Sequence, residues 1–273
     1  MGFTGIVEET GTITNKVTQP DSLCVTATIE CKVVLEDAYI GCSIAVEGVC
    51  LTVTRFDAKS FDVDIAPETL DKTHFSEMAV GQDVNLERAA KSGDRISGHN
   101  VQGHVEETGS ISHLEEDGGS LRVHVVTNSA SFLHKIIQKG YIAIDGASLT
   151  VCDVIPEKQT FTIMLIPHSR SILTLGRKKV GDSVNLESDI AGRYSLAPIE
   201  VLEKRIEALE YKYDLLKSQT GGSSSRWYSV DDMFDADNVI RFGMGCAFGC
   251  AVVSTVLLLR PRHWNIPSLS ILP

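Results

Sequence analysis

The chain is built from one sequence used twice. The segment FTGIVEETGTI at 3–13 returns as VQGHVEETGSI at 101–111, with seven of eleven positions identical. At the same offset of 98, AVEGVCLTV from Ala45 returns as AIDGASLTV from Ala143, with five of nine identical. A third pair, VGQDVNLE from Val80 and VGDSVNLE from Val180, stands at offset 100. Two residues therefore enter between the second and third matches, and the loop around Pro156 to Gln159 is the place expected for them. A fold for this chain must contain two like domains over roughly its first 190 residues.

Inside each half, short runs alternate with period two. Phe61, Val63 and Ile65 alternate with Asp62 and Asp64, while Ile44 and Val46 precede Leu51 and Val53. This is the pattern of half-buried strands. Glu47-Gly48 and Asp145-Gly146 fall between such runs in equivalent places, and a glycine second in the pair supplies the positive φ of a tight hairpin. Strand follows strand with little helical periodicity before residue 198. The fold class expected is all-β, with two tandem duplicated Greek-key β-barrels whose closure removes exposed sheet edges.

From there Ile199, Leu202, Ile206, Leu209, Tyr213 and Leu216 recur at spacings of three and four among charged residues. This predicts a C-terminal amphipathic α-helix over 198–217, opening at Pro198 and Glu200, whose apolar stripe packs on the barrels or on other copies of itself. The expected division is a barrel over 1–97, a second over 98–197, the helix, and a tail over 218–273. Within the tail, GGSSS from Gly221 reads as a linker. Phe242 to Leu259 is a run of 18 largely apolar residues, at the lower limit for a transmembrane helix. Its three glycines and the preceding Arg241 weigh against a span, so membrane contact, if there is any, falls to this tail.

With 25 basic against 36 acidic residues and a net charge of -11, the chain is a poor partner for nucleic acid. A small molecule is the partner expected. Seven cysteines without a CxxC pair, behind an acidic opening that lacks a secretory signal, point to a reducing, cytoplasmic setting. Cys246 and Cys250 lack neighbouring His or Asp and read as small apolar residues, so no metal site is expected.

The segments FTGIVEETG, GCSIAVEGVCLTVT, SGHNVQGHVEE and KGYIAIDGASLTV, in that order and duplicated, resemble the riboflavin synthase family over about residues 1–217. The resemblance implies six strands in each barrel and a homotrimer held by the C-terminal helices. It places the active site between one subunit's N-terminal barrel and a neighbour's C-terminal barrel. It implies a dismutation without cofactor or metal, in which one 6,7-dimethyl-8-ribityllumazine gives four carbons to another, yielding riboflavin and 5-amino-6-ribitylaminouracil. Two like barrels suit a reaction between two like molecules. The competing expectation is a non-catalytic lumazine- or flavin-binding protein of the same fold. A membrane-tethered scaffold is a further alternative.

A site that treats donor and acceptor differently must break the internal symmetry, so the differences between the halves matter. Ser43, Cys50 and Thr52 correspond at offset 98 to Tyr141, Ser148 and Thr150. The kept threonine reads as a shared ligand contact. His104 replaces Ile6 within the repeated frame, and Asp189 stands at offset 100 from Ala89, each a titratable group gained in the second half. By residue type alone, Cys50 reads as a buried strand cysteine, Asp189 as a strand-end carboxylate, and His99 and His104 as surface or hydrogen-bonded core histidines. The resemblance assigns catalytic roles to Ser43, Cys50, His104 and Asp189, with His104 exchanging protons with the bound ring; His99 stays open to a structural role.

By the same resemblance the ligands touch Phe3, Thr4, Gly5, Ile6 and Val7; Cys50, Leu51 and Thr52; Gly103, His104 and Val105; Lys139; and Ser148, Leu149 and Thr150. The stretches Asp64, Ile65, Ala66, Pro67, Glu68, Thr69 and Met164, Leu165, Ile166, Pro167, His168, Ser169 are expected to flank the rings, their backbone pairing with a uracil-like edge. The chain departs from the family pattern at the extra Gly2, at Ser97 where glycine is common, at His168, and in its tail.

Overall fold

Each repeat supplies six strands. In the computed structural model, which describes residues 2–219, the first repeat forms β1 (Glu9–Thr18), β2 (Val25–Glu30), β3 (Ser43–Val46), β4 (Val49–Phe56), β5 (Ser60–Ile65) and β6 (Asp83–Arg88). The second forms β7 (Glu107–Asp117), β8 (Ser120–Thr127), β9 (Tyr141–Ile144), β10 (Ala147–Ile155), β11 (Thr160–Leu165) and β12 (Ser183–Ser188). Each set closes into a barrel in the same order, β1-β2-β5-β4-β3-β6 and β7-β8-β11-β10-β9-β12. Closure joins the two edges of each sheet, as the strand pattern led us to expect.

Alternation decides what lies inside. Phe61, Val63 and Ile65 are sealed in the first core and Phe161, Ile163 and Leu165 in the second, while Asp64 between them faces solvent. The hairpins joining β3 to β4 and β9 to β10 turn left-handed at both central residues, Glu47 and Gly48 at φ 46° and 78°, Asp145 and Gly146 at 47° and 82°. Such turns match the twist of the paired strands. The two inserted residues lie where expected and lengthen a hairpin by one rung. The first barrel's β4–β5 pairing ends at Phe56↔Phe61, whereas β10–β11 continues past the equivalent Val154↔Phe161 to Ile155↔Thr160.

Among the described residues are four α-helices, α1 (Pro67–Lys72), α2 (Ala130–Leu133), α3 (Pro167–Ile172) and α4 (Ile190–Gln219), besides short 3-10 turns. The expected start of the C-terminal helix at Pro198 is corrected: α4 begins at Ile190 and Pro198 lies inside it. Asp189 opens it, its Oδ1 accepting the Ala191 N–H at 3.0 Å. Helix-forming neighbours carry the chain through Pro198, which has no N–H to give the Tyr194 carbonyl. Among the described residues no helix is long and apolar enough to cross a membrane. The expected linker from Gly221, the apolar run Phe242 to Leu259, and Cys246 and Cys250 lie outside the described residues.

Candidate active site

Because Leu51 and Val53 point into the first barrel, Cys50 and Thr52 point out of it. The same alternation turns Ser148 and Thr150 outward on β10. The side chains of Leu51, Ile65, Leu149 and Leu165 fill the cores, so these four offer the outer face backbone alone. There the sheet is parted. The β4–β5 pairing stops at Val53↔Val63 although β5 runs on to Ile65, and the β10–β11 pairing stops at Val151↔Ile163 although β11 runs on to Leu165. Past those rungs, Cys50 to Thr52 faces Asp64 to Ala66, and Ser148 to Thr150 faces Met164 to Ile166. Pro67, Glu68, Pro167 and His168 are exposed at the starts of α1 and α3.

The repeats exchange their leading segments across these gaps. Phe3 and Val101 pair as an antiparallel bridge, with N–H to carbonyl distances of 2.7 and 3.1 Å. Beyond the bridge, Gly103 accepts the Cys50 N–H of the first barrel, and Gly5 accepts the Ser148 N–H of the second, both at 2.8 Å. Both glycines have positive φ, and a Cβ on either would stand 2.6 Å from the Cβ of the residue it meets. Val105 accordingly packs on the first core and Val7 on the second. Buried glutamates from the repeated VNLE hold the crossing segments in place. Glu87 accepts the Thr4 N–H at 2.7 Å and the Gly5 N–H at 3.0 Å; Glu187 accepts those of Gln102 at 2.7 Å and His104 at 2.8 Å. Burial raises both carboxyl pKa values, against the pull of these N–H donors.

Two related but unlike surfaces result. On the first barrel stand Ser43, paired across the hairpin with Thr52, together with Cys50 and the exposed His104. On the second stand Tyr141, paired with Thr150, Ser148, the Thr4–Ile6 segment, His99 and Asp189. The residues assigned catalytic roles therefore divide, with Ser43, Cys50 and His104 on one surface and Asp189 on the other. His99 was left open in the sequence and is part of the second surface. Its Nδ1 lies 2.7 Å from Ser148 Oγ, and its ring stacks on Tyr141 at 5.2 Å between centroids, 7° from parallel. Burial pushes its pKa down, opposed by the charge of Asp189, so the neutral ring is favoured. Lys139 is exposed beside β9, and Phe3 is buried between the barrels with Ala45, Val101 and Ala143. The extra Gly2 leaves Phe3 bridged, its carbonyl accepting the Ala90 N–H at 3.0 Å.

The lumazine binding domain profile matches residues 4–89 and again 102–189. Riboflavin synthase of Bacillus subtilis (strain 168) is 41% identical over 192 residues, 70% of this chain and 87% of that protein. The chain belongs to the riboflavin synthase family. Family members from Schizosaccharomyces pombe and Meyerozyma guilliermondii are 41% and 39% identical, across 76% and 82% of this chain and 94% and 92% of theirs. The fold is also that of LumP, solved with riboflavin and with 6,7-dimethyl-8-(1'-D-ribityl) lumazine. TM-scores are 0.61 and 0.60 at 24% identity, covering 68% of this chain and 98% of LumP. Each lumazine binding domain match of this riboflavin synthase family chain covers one barrel and the leading segment that crosses to the other. Glu87 and Glu187 went unassigned in the sequence although the repeated VNLE was their signal.

Proposed function

We propose that the chain catalyses the dismutation of two 6,7-dimethyl-8-ribityllumazine molecules, giving riboflavin and 5-amino-6-ribitylaminouracil. The observation that carries this reading is the pair of equivalent surfaces that differ in their chemistry. Each can take one lumazine ring at a parted strand pair, where backbone groups meet its pyrimidine edge. The thiol of Cys50 and the ring of His104 serve one ligand; the His99–Ser148 pair and Asp189 serve the other. Holding two rings face to face replaces a bimolecular encounter with an intramolecular one, which lowers the barrier by several kcal/mol, on the order of 7 at good alignment. Proton removal from the donor's methyl group and protonation at the acceptor fall to the two histidines, one on each surface.

The two surfaces belong to different barrels, so the reaction needs them brought face to face. A homotrimer, in which a neighbour's second barrel meets this chain's first, does that. The apolar stripe of α4 supports it, because Leu202, Ile206, Leu209 and Tyr213 are exposed in the single chain. The cysteines of the described residues carry free thiols, which supports a cytoplasmic enzyme of riboflavin biosynthesis. No cofactor enters this chemistry.

The test is direct incubation with the lumazine, following riboflavin by absorbance and product separation. The expected result is turnover, slowed about 100-fold in His104→Ala. Tight binding of the lumazine with no riboflavin formed would remove the catalytic reading and leave a lumazine-binding protein.

A further inference from the structure

Between the barrels lie two carboxylates that the proposed reaction does not use. Glu47 and Asp145, the leading residues of the two hairpin turns, are fully buried. The turns meet so closely that a Cβ on Gly48 would stand 2.5 Å from the Gly146 nitrogen. The hydrogen bonds around them are mirrored. The Asn85 N–H donates to Glu47 Oε1 at 2.6 Å and the Asn185 N–H to Asp145 Oδ1 at 2.7 Å. Each asparagine amide donates to the backbone carbonyl of the opposite turn, Asn85 to Asp145 and Asn185 to Glu47, both at 2.9 Å.

Two positions break the mirror, and both bring in a cation. Thr174 Oγ1 donates to Glu47 Oε1 at 3.0 Å, but its counterpart His74 sets Nε2 3.0 Å from Asp145 Oδ1 and 3.6 Å from Glu47 Oε2. Lys178 stands where the first repeat has Met78, its Nζ 2.8 Å from Asp145 Oδ2 and 3.9 Å from Glu47 Oε2. His74 Nε2 and the two carboxylates lie within 4.8 Å of one another. The Lys178 ammonium sets a positive charge against the same two carboxylates.

Two carboxylates stripped of water need both counter-charges, because a buried charge left without its partner is strongly destabilising. A neutral imidazole can still donate from Nε2 to Asp145, but only the imidazolium also answers the second carboxylate. Burial pushes the His74 pKa down, yet the hydrogen bonds to Asp145 and Glu47 prevail and raise it to about 9. Burial likewise raises the Asp145 carboxyl, but Lys178 and His74 hold it below its ordinary range; Glu47 is raised by burial and by the charge of Asp145. The other charges facing the cluster, Glu77, Asp83, Arg177 and Asp182, line the mouth of a cleft of about 430 Å³. Arg177 and Asp83 pair there at 2.6 Å in contact with solvent, which screens them.

We propose that the proton on His74 latches the barrels together: with it the two site-bearing hairpins are held turn to turn, and without it their junction keeps an uncompensated buried carboxylate and loosens. The inference concerns the docking of the barrels and stands whether or not the chain turns lumazine over. Its sign is fixed. The histidine binds its proton more tightly folded than unfolded, so its contribution is complete below the unfolded value of 6.5, declines as pH rises, and is gone above about 9.

The experiment compares thermal midpoints of the full chain and of the double variant Glu47→Gln/His74→Thr between pH 6 and 10. The double variant removes one acid and one base together and gives position 74 the hydroxyl found at Thr174. Between pH 6.5 and 9 the unmodified chain should lose about 5 °C more than the double variant; an equal loss in both overturns the latch. Ring NMR of the unmodified chain tests the same point without a variant. One of the eight histidines should stay protonated past pH 8, and finding every ring deprotonated by then overturns it.

Discussion

Lys139 holds a left-handed backbone, φ 64°, at the position where the first repeat has Gly41 at 92°. Both residues give their N–H to an equivalent carbonyl, Gly41 to Val53 at 2.8 Å and Lys139 to Val151 at 2.9 Å. The second repeat thus keeps the geometry and adds a side chain that disfavours it, by roughly 1–2 kcal/mol. If the second surface takes the ribityl-bearing ligand proposed above, an ammonium at this position gives its hydroxyls a donor, which would account for the strain. Lys139→Gly is expected to raise stability by about 1 kcal/mol while weakening lumazine binding about tenfold. Denaturant melts and a binding titration check both; a variant that binds as tightly as the parent removes Lys139 from the site. The same residue shows what sequence conveys at this scale. A Lys opposite a Gly is visible at offset 98, but the strain is not, because φ follows from the hairpin around it. His99 is the parallel case: its stacking on Tyr141 and contact with Ser148 join residues far apart in the chain, and nothing near His99 announces them.

Strands with one wet face were legible, since a closed barrel writes period two into them, as Phe61, Val63 and Ile65 show; β3 and β9, buried on consecutive residues, lack that alternation. The start of α4 was not, because Pro198 carries a helix-opening preference that Asp189 overrides nine residues earlier. The crossing segments were hidden for a different reason. GxVEETG reads the same whether it docks on its own barrel or on the other, and the choice is made by Phe3 meeting Val101. This yields a prediction for each segment. Gly103→Ala puts a Cβ 2.6 Å from that of Cys50, and Gly5→Ala does the same at Ser148, both at positive φ. Each variant is expected to lose about 2 kcal/mol of stability and, if the surfaces work as proposed, at least tenfold in turnover. Melting and initial rates measured on both variants check this. A Gly103→Ala protein with parental stability and rate would show that the segment yields without consequence.

At the scale of both repeats, the two barrels each finish the other's surface. The leading segment of the first repeat covers the second core through Val7, and that of the second covers the first through Val105. Phe3 is the pin between them, 2% exposed and shared with Ala45 of one barrel and Ala143 of the other. Neither barrel can open without uncovering its neighbour, so the two are expected to unfold in a single calorimetric transition although each has its own core. Phe3→Ala should cost about 3–5 kcal/mol, the usual loss for a buried aromatic side chain cut back to a methyl group. Because that loss falls on the junction and spares both cores, the variant's transition should broaden or divide in two. Two separate transitions in the parent chain would mean that the exchanged segments do not couple the barrels. An undivided transition in Phe3→Ala, merely shifted down, would move the coupling to the Glu47–Asp145 junction.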